Sequence, residues 1–386
     1  MRTPVYLDHP ATTPMDPRVL DAMLPFLEAR FGNPASAHAF GFEAAEAVER
    51  SRATIAWALG ARAEEIVFTS GATESDNLAL LGVVGAAGEP GGRVIVGATE
   101  HRAVLDSAQR LARSGIDVAI LPVDSAGRVD PGDAERALRP GTRIVSLMAA
   151  NNETGTLHPI GEIGGIARAR GIPFHTDAAQ ALGRIAIDVQ AMSLDLVSLT
   201  AHKIHGPKGV GALYVRSRPR VALEPMLHGG GQEHGMRSGT LNVAGIVGFA
   251  AAVQIALEGL DEDGLRIRRL RERLLERLRV HPGGVSLNGH AAESLPGILN
   301  LSFEEVDGEA LVTALPDVAL STGSACASAR GEPSHVLRAM GLAPRRIQSA
   351  VRIGLGRFTS EAEIDFAAGR IAEEVARLRA LSGGAA

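Results

Sequence analysis

Leu194-Asp-Leu-Val-Ser-Leu199, followed by Thr200-Ala-His-Lys203-Ile-His-Gly206-Pro-Lys208-Gly209, is the stretch from which the fold is best read. The first half is a short, largely apolar run. The second half carries a hydroxyl, a His and a Lys, and then turns through Gly206 and Pro207. A brief apolar run closed by turn residues reads as a strand buried on both faces, as in a parallel sheet. In such sheets the functional groups gather just past the carboxyl ends of the strands. Lys203 stands at that place. An amine of ordinary pKa, about 10.4, becomes nucleophilic when burial or a nearby cation lowers it. Lys203 is therefore placed to form an imine, whereas Lys208, further into the turn, reads as a surface residue.

The neighbouring sequence repeats the pattern. Val5 to Asp8 reads as a short strand, followed by a turn-rich segment from Pro10 to Pro14. Asp16-Pro17 caps a helix to about Ala29, Phe31 to His38 is irregular, and a helix runs from about Phe42 to Leu59. Strands are expected at 65–69, 93–96, 118–123, 144–148 and 173–175, with helices at 73–84, 103–113 and 160–170. This alternation predicts an α/β fold with a mostly parallel sheet covered on both faces. Near Gly259 the pattern changes. Leu265 to Val280 is an amphipathic helix with Ile267, Leu270, Leu274 and Leu278 along one side. Strands at 298–302 and 351–353 follow, and Ser360-Glu-Ala-Glu363 opens a last helix with a capping box. This part reads as a smaller α+β domain.

Composition narrows the function. A chain of 386 residues favours two domains over one core. A net charge of −5 gives no reason to expect nucleic acid or an anionic membrane as partner. The arginines of 265–280 alternate with Glu272 and Glu276, so they read as a solvated face. With no signal pattern and no apolar run of spanning length, a cytoplasmic location and no membrane are expected. One cysteine excludes an internal disulfide framework and a cysteine-only metal cage. Aromatics are 3% of the chain, so the core must be aliphatic.

Further constellations sit at other strand ends. Thr69-Ser-Gly71-Ala-Thr73 runs from a strand into a helix, whose free N–H groups suit a phosphate. Asp177 ends a short strand. It is either a helix cap or the carboxylate that keeps a pyridine nitrogen protonated, with Gln180 near a ring hydroxyl. Asn152, in Asn151-Asn-Glu-Thr-Gly155, and His101, after Thr99-Glu100, follow two more strands; His101 could stack on a planar ring or move a proton. Cys326 lies in the small-residue run Ser321-Thr-Gly-Ser-Ala-Cys-Ala-Ser-Ala329, where an accessible thiol could act as a nucleophile. Arg352, in the apolar strand 351–353, needs a carboxylate partner, from the protein or from a ligand.

The chain resembles the cysteine desulfurases of the class V pyridoxal-phosphate aminotransferase family, in their long-loop group. The motifs are Tyr6-Leu-Asp8 with Ala11-Thr-Thr-Pro14, Gly32-Asn-Pro34, Phe68 to Asn77, Glu100-His101, Asn151 to Gly155, Asp177 with Gln180, and His202-Lys203. Gly206-Pro-Lys-Gly209, Arg237-Ser-Gly-Thr240, Gly323-Ser-Ala-Cys326 and Arg352 complete them. The resemblance implies fold type I: a large domain, residues 15–259, with a mostly parallel seven-stranded sheet, and a small α+β domain, residues 1–14 and 260–386. It implies pyridoxal 5′-phosphate as cofactor, L-cysteine as substrate, and a homodimer. The expected product beside alanine is a persulfide on Cys326, which passes to an iron–sulfur scaffold or another acceptor.

By the same resemblance Lys203 holds the cofactor. Ala72, Thr73, Thr200 and His202 bind its phosphate, and Thr240 reaches it from the other subunit. Asp177 pairs with the ring nitrogen, Gln180 bonds the ring oxygen and His101 stacks. Asn152 and Arg352 hold the substrate carboxylate, and Cys326 takes the sulfur. No resident metal is implied, although Cys326 could transiently ligate an iron–sulfur cluster. Thr200 replaces the usual Ser and keeps the hydroxyl, Ala327 replaces Thr or Ser, and His9-Pro10 replaces small or amide residues. The chain stops soon after its last helix, where some family members have a longer tail that docks the scaffold protein. A selenocysteine lyase, and a platform protein that keeps the fold without turnover, are the alternative readings.

Overall fold

The computed structural model describes residues 4–88, 91–323 and 333–383. It opens with β1 (Val5–Tyr6), α1 (Pro17–Leu27) and α2 (Ala39–Ala58). Asp16 caps α1 by accepting from the Arg18 N–H, as expected from its place before Pro17. Then β2 (Ile66–Thr69), α3 (Ala72–Ala86), β3 (Arg93–Gly97), α4 (Arg102–Arg113), β4 (Asp117–Leu121), α5 (Pro131–Ala137), β5 (Thr142–Ser146), α6 (Ile160–Ala169), β6 (Phe174–Asp177) and β7 (Leu196–Thr200) alternate. The chain continues through β8 (Gly211–Val215), α7 (Val243–Glu258), α8 (Leu260–Val280), β9 (Val285–Asn288), β10 (Ile298–Phe303), α9 (Gly308–Thr313) and β11 (Val318–Ala319). It ends with α10 (His335–Ala339), α11 (Pro344–Gln348), β12 (Ala350–Gly354) and α12 (Glu361–Gly383).

The central sheet has seven strands in the order β2-β8-β7-β6-β5-β3-β4. Its strands pair in parallel except around β8, which runs antiparallel to both β2 and β7. The link from Thr200 to Gly211 has no crossover helix, so the chain can only return antiparallel. Alternate residues serve opposite faces: Ile66, Ile95, Val145 and Val197 join one core, while Val67, Val94, Ile144 and Leu196 join another. Both faces are thus buried, which is why these strands read as continuous apolar runs. α7 is apolar on nearly every side and packs against α1 and α2, so it shows no helical hydrophobic period to read.

A separate core gathers Val5 and Leu7 with Leu270, Leu274 and Leu278 of α8, the sheet β12-β10-β9, and Ile364 and Ile371 of α12. β1 pairs with β11, so the first residues are built into this part. The capping box forms: Ser360 N donates to Glu363, and Glu363 N donates to Ser360 Oγ. The arginine face of α8 is not all solvated. Arg271 is buried and its Nε donates to the Ile298 carbonyl. Its neighbouring arginines gave no sequence signal that this one turns inward. Among the described residues no single helix is long and apolar enough to cross a membrane; α7 and α8 pass such a test only together, and they meet at a 73° bend.

Beneath the site, Asp76 of α3 is fully buried, with the Ser198 hydroxyl as the hydrogen-bonding group that faces it. His175 Nε2 lies 3.6 Å from Asp76 Oδ1, but both groups are neutral. Burial lowers His175 to about 3, while burial first, and then the charge of Asp177, raise Asp76 well above its usual value, against a hydrogen bond from Ser198. The folded state therefore keeps a proton on Asp76 that the unfolded chain releases above about pH 4. Stability is lost as pH rises from there towards the folded pKa. Asp76→Asn removes that loss. Its unfolding free energy is expected to gain on wild type as pH rises above the ordinary carboxylate range, by up to about 1.4 kcal/mol per pH unit while the folded acid keeps its proton. Parallel pH dependences of wild type and variant above that range would refute a buried acid.

Candidate active site

Lys203, His101, Asp177, Gln180, Ala72, Thr73, Asn152, Thr200, His202 and Arg352 line one cavity of about 480 Å³ at the carboxyl ends of the central strands. The strand ends supply most of it. Asp177 closes β6, Thr200 closes β7, and β2 passes through Gly71 into α3.

At the α3 end, the N–H groups of Ala72 and Thr73 belong to the first helical turn and have no preceding helical carbonyl to meet. Gly71 has φ 155°, and the β8 residue Gly211 lets it approach closely, since a Cβ on Gly211 would stand 2.6 Å from the Gly71 Cα. Thr200 Oγ1 and His202 face the same end. His202 Nδ1 lies 3.1 Å from Thr12 Oγ1, and burial lowers the ring to about 4, so it is neutral.

Across the cavity, Asp177 is both of the things its sequence allowed. Its Oδ1 accepts from the Ala179 N–H at 2.8 Å, as a capping aspartate does, and it lines the cavity. Burial raises its pKa, opposed by its interactions with His101, the Ala179 N–H and Lys203. His101 caps α4: its Nδ1 accepts from Ala103 N at 3.1 Å, which puts the proton of the neutral ring on Nε2. Burial holds its pKa below the usual value. Its preceding residue, Glu100, is buried too, and one of its oxygens accepts from Met148 N at 2.6 Å.

Lys203 Nζ donates to the carbonyls of Pro10 and Ala11, at 2.5 and 2.6 Å. The turn-rich segment after β1 therefore lies over the lysine, and Thr13 fastens it by donating to the His202 carbonyl. Burial first, and then the charges of Arg352 and Arg184, lower the Lys203 amine to about 7, against Asp8 and Asp177. A large fraction of it is then uncharged at neutral pH.

Arg352 is 1% exposed and already paired. Its Nη2 donates to Asp8 Oδ1 at 2.8 Å and its Nη1 to the Asn152 carbonyl at 3.1 Å, while its Nε has no partner. Asp8 was quoted from sequence as part of a motif, but its pairing with a residue more than 300 positions away could not be read there. The Arg352 backbone pairs with Ser321, whose Oγ also donates to Asp8. The chain thus leaves Ser321 towards Cys326 from beside Arg352. Cys326 itself lies outside the described residues.

Thr240 does not join the cavity. It is exposed and lines a separate one with Asn33 and Gln232. Among the described residues no group of three or more His, Cys, Asp or Glu is placed to hold a metal ion.

The donor set fits pyridoxal 5′-phosphate: amide and hydroxyl donors at a helix start for a phosphate, a buried carboxylate for a ring nitrogen, and an amine of lowered pKa for an aldehyde. The family model for class-V aminotransferases matches residues 5–366. A cysteine desulfurase IscS from Anaeromyxobacter dehalogenans is 52% identical over 383 residues, covering 99% of this chain and 95% of that relative. The cysteine desulfurase of Homo sapiens is 49% identical over 380 residues, 98% of this chain and 83% of its own length. A solved NifS-like protein superposes with a TM-score of 0.91 at 38% identity, over 97% of this chain and all of that one.

Proposed function

The chain belongs to the class-V aminotransferase family, among its cysteine desulfurases, which act with pyridoxal 5′-phosphate, and we propose that the cavity around Lys203 is where it takes sulfur from L-cysteine, leaving L-alanine and a persulfide on Cys326. One observation carries the reading. An amine lowered to about 7 shares a cavity with a buried carboxylate, a neutral histidine and a buried arginine.

When bound, the cofactor supplies a ring that draws electrons from the substrate's α-carbon. The chain's own residues do the rest. Ala72, Thr73, Thr200 and His202 would bind the phosphate. Asp177 would hold the proton on the ring nitrogen, Gln180 would donate to the ring oxygen, and His101 would contact the ring. Arg352 and Asn152 bind the substrate carboxylate, which fixes the α-carbon near Lys203. Lys203 Nζ, in its uncharged form, would hold the cofactor and take and return the proton at that carbon. Cys326, on the stretch that leaves Ser321 beside Arg352, receives the sulfur.

We infer a homodimer, because Thr240 is exposed and away from the cavity of its own chain, where a second copy could use it. The cores on the two faces of the central sheet, and the separate one around β12-β10-β9, support a large domain of residues 15–259 and a small one of residues 1–14 and 260–386. The acceptor is read as an iron–sulfur scaffold or a thiocofactor pathway protein in the cytoplasm.

Incubating cofactor-loaded protein with one equivalent of L-cysteine should give one alanine per active site and one added sulfur atom on the Cys326 peptide by mass spectrometry. Alanine without added sulfur, or sulfur on no cysteine peptide, would sink the assignment.

A further inference from the structure

Arg184 lies outside the main cavity, half-buried beside a small one of about 50 Å³ that also meets Lys203. Among the described residues no carboxylate stands within ion-pair distance of it. Its guanidinium instead spans two residues of the site. Nη1 donates to Gln180 Oε1 at 2.5 Å, and Nη2 donates to the Lys203 carbonyl at 3.0 Å. A guanidinium only donates, so the Gln180 atom facing it must be the amide oxygen. The amide nitrogen is left on the other side, where it donates to the Pro10 carbonyl at 2.9 Å and has a second N–H to offer. Gln180 can then present only a donor to the cavity. A cationic fork without a carboxylate partner also disfavours a second positive charge on the nearby Lys203 amine.

We propose that Arg184 is a positioning residue with two effects: its fork fixes the amide of Gln180 as a donor to the cofactor's ring oxygen, and its charge disfavours a proton on the neighbouring Lys203 amine. This rests on the reading of the Lys203 cavity as the cofactor site. The charged groups facing Lys203 are Arg352 and Arg184, which disfavour its proton, and Asp8 and Asp177, which favour it. Arg184 is the one of these cations that does not line the main cavity, so it can be changed without touching the bound molecules.

Lysine and methionine at this position separate the two effects. Arg184→Lys keeps the charge and loses the fork; Arg184→Met loses both. In cofactor-free protein, the pH dependence of Lys203 acetylation by acetic anhydride, read on its peptide by mass spectrometry, reports the amine directly. Arg184→Met is expected to shift its midpoint up by about half a unit to one unit, and Arg184→Lys to leave it within a few tenths. In cofactor-loaded protein, both variants should lose pyridoxal 5′-phosphate severalfold faster and shift its absorption band, because the amide is free to turn. Melting curves identify any misfolded variant, and the milder lysine substitution carries the fork arm if methionine misfolds. Unchanged titration in Arg184→Met would overturn the charge effect. Unchanged cofactor release in Arg184→Lys would overturn the fork effect. If wild type binds no cofactor, the site reading fails, while the acetylation series still decides whether Arg184 governs the Lys203 amine.

Discussion

Lys203→Ala abolishes alanine release from L-cysteine, to at least about 10³-fold below wild type, since proton transfer by a positioned base is worth about 10²–10⁴ and this residue also holds the cofactor. Lys203 Nζ is held by the carbonyls of Pro10 and Ala11 inside the cavity that contains Asp177 and Arg352. Lys208 reaches the same cavity from an exposed position. It therefore serves as the control, and Lys208→Ala should stay within a few-fold of wild type. The pH dependence has a definite sign. The amine acts when deprotonated, so the rate of cofactor capture by cofactor-free wild type should rise through about pH 7 and then level off. A rise centred near the ordinary lysine value, about 10.4, would show that the environment of Lys203 has been misread. Retained turnover in Lys203→Ala would remove the catalytic base altogether.

Arg352→Ala is the second large effect, expected to raise KM for L-cysteine by about 10²-fold, with a smaller fall in kcat. Arg352 is 1% exposed and its Nε has no protein partner, so it has bonding capacity left for a substrate carboxylate. Its deletion also leaves Asp8 without its cation, and a negative group then faces the incoming carboxylate. Asp8→Asn added to Arg352→Ala should therefore recover part of the loss. Arg352→Lys should recover less than a conservative change suggests, because an ammonium cannot bridge Asp8, Asn152 and a substrate at once. Steady-state kinetics of the three variants decide it. A KM within threefold of wild type for Arg352→Ala would place the carboxylate site elsewhere.

The features legible in the chain were those with a local cause. Asp16 before Pro17, and Ser360 with Glu363, announce caps because the donor and acceptor lie within a few residues of each other. The strands were visible because both their faces are covered, which leaves unbroken apolar runs. Lys203, Asp177 and His101 were found by one signal, a polar residue just past such a run. The same signal failed at β8, whose small and apolar residues follow a glycine turn without a break in composition. It failed at α7, buried on too many sides to show a period.

The order of amino acids by itself determined where strands and helices form, which ends carry chemistry, and, through its motifs, the family. Only the tertiary structure decided what those groups became. It set Asp8 against Arg352, Arg184 against Gln180 and Lys203, and Asp76 beneath Asp177. It lowered a lysine to about 7 and buried an acid deeply enough to raise its pKa well above the usual value. The reason is range. Backbone preferences and caps depend on neighbours within about one helical turn, whereas desolvation and charge–charge energies depend on whatever the fold brings within a few ångströms, however far apart in the chain.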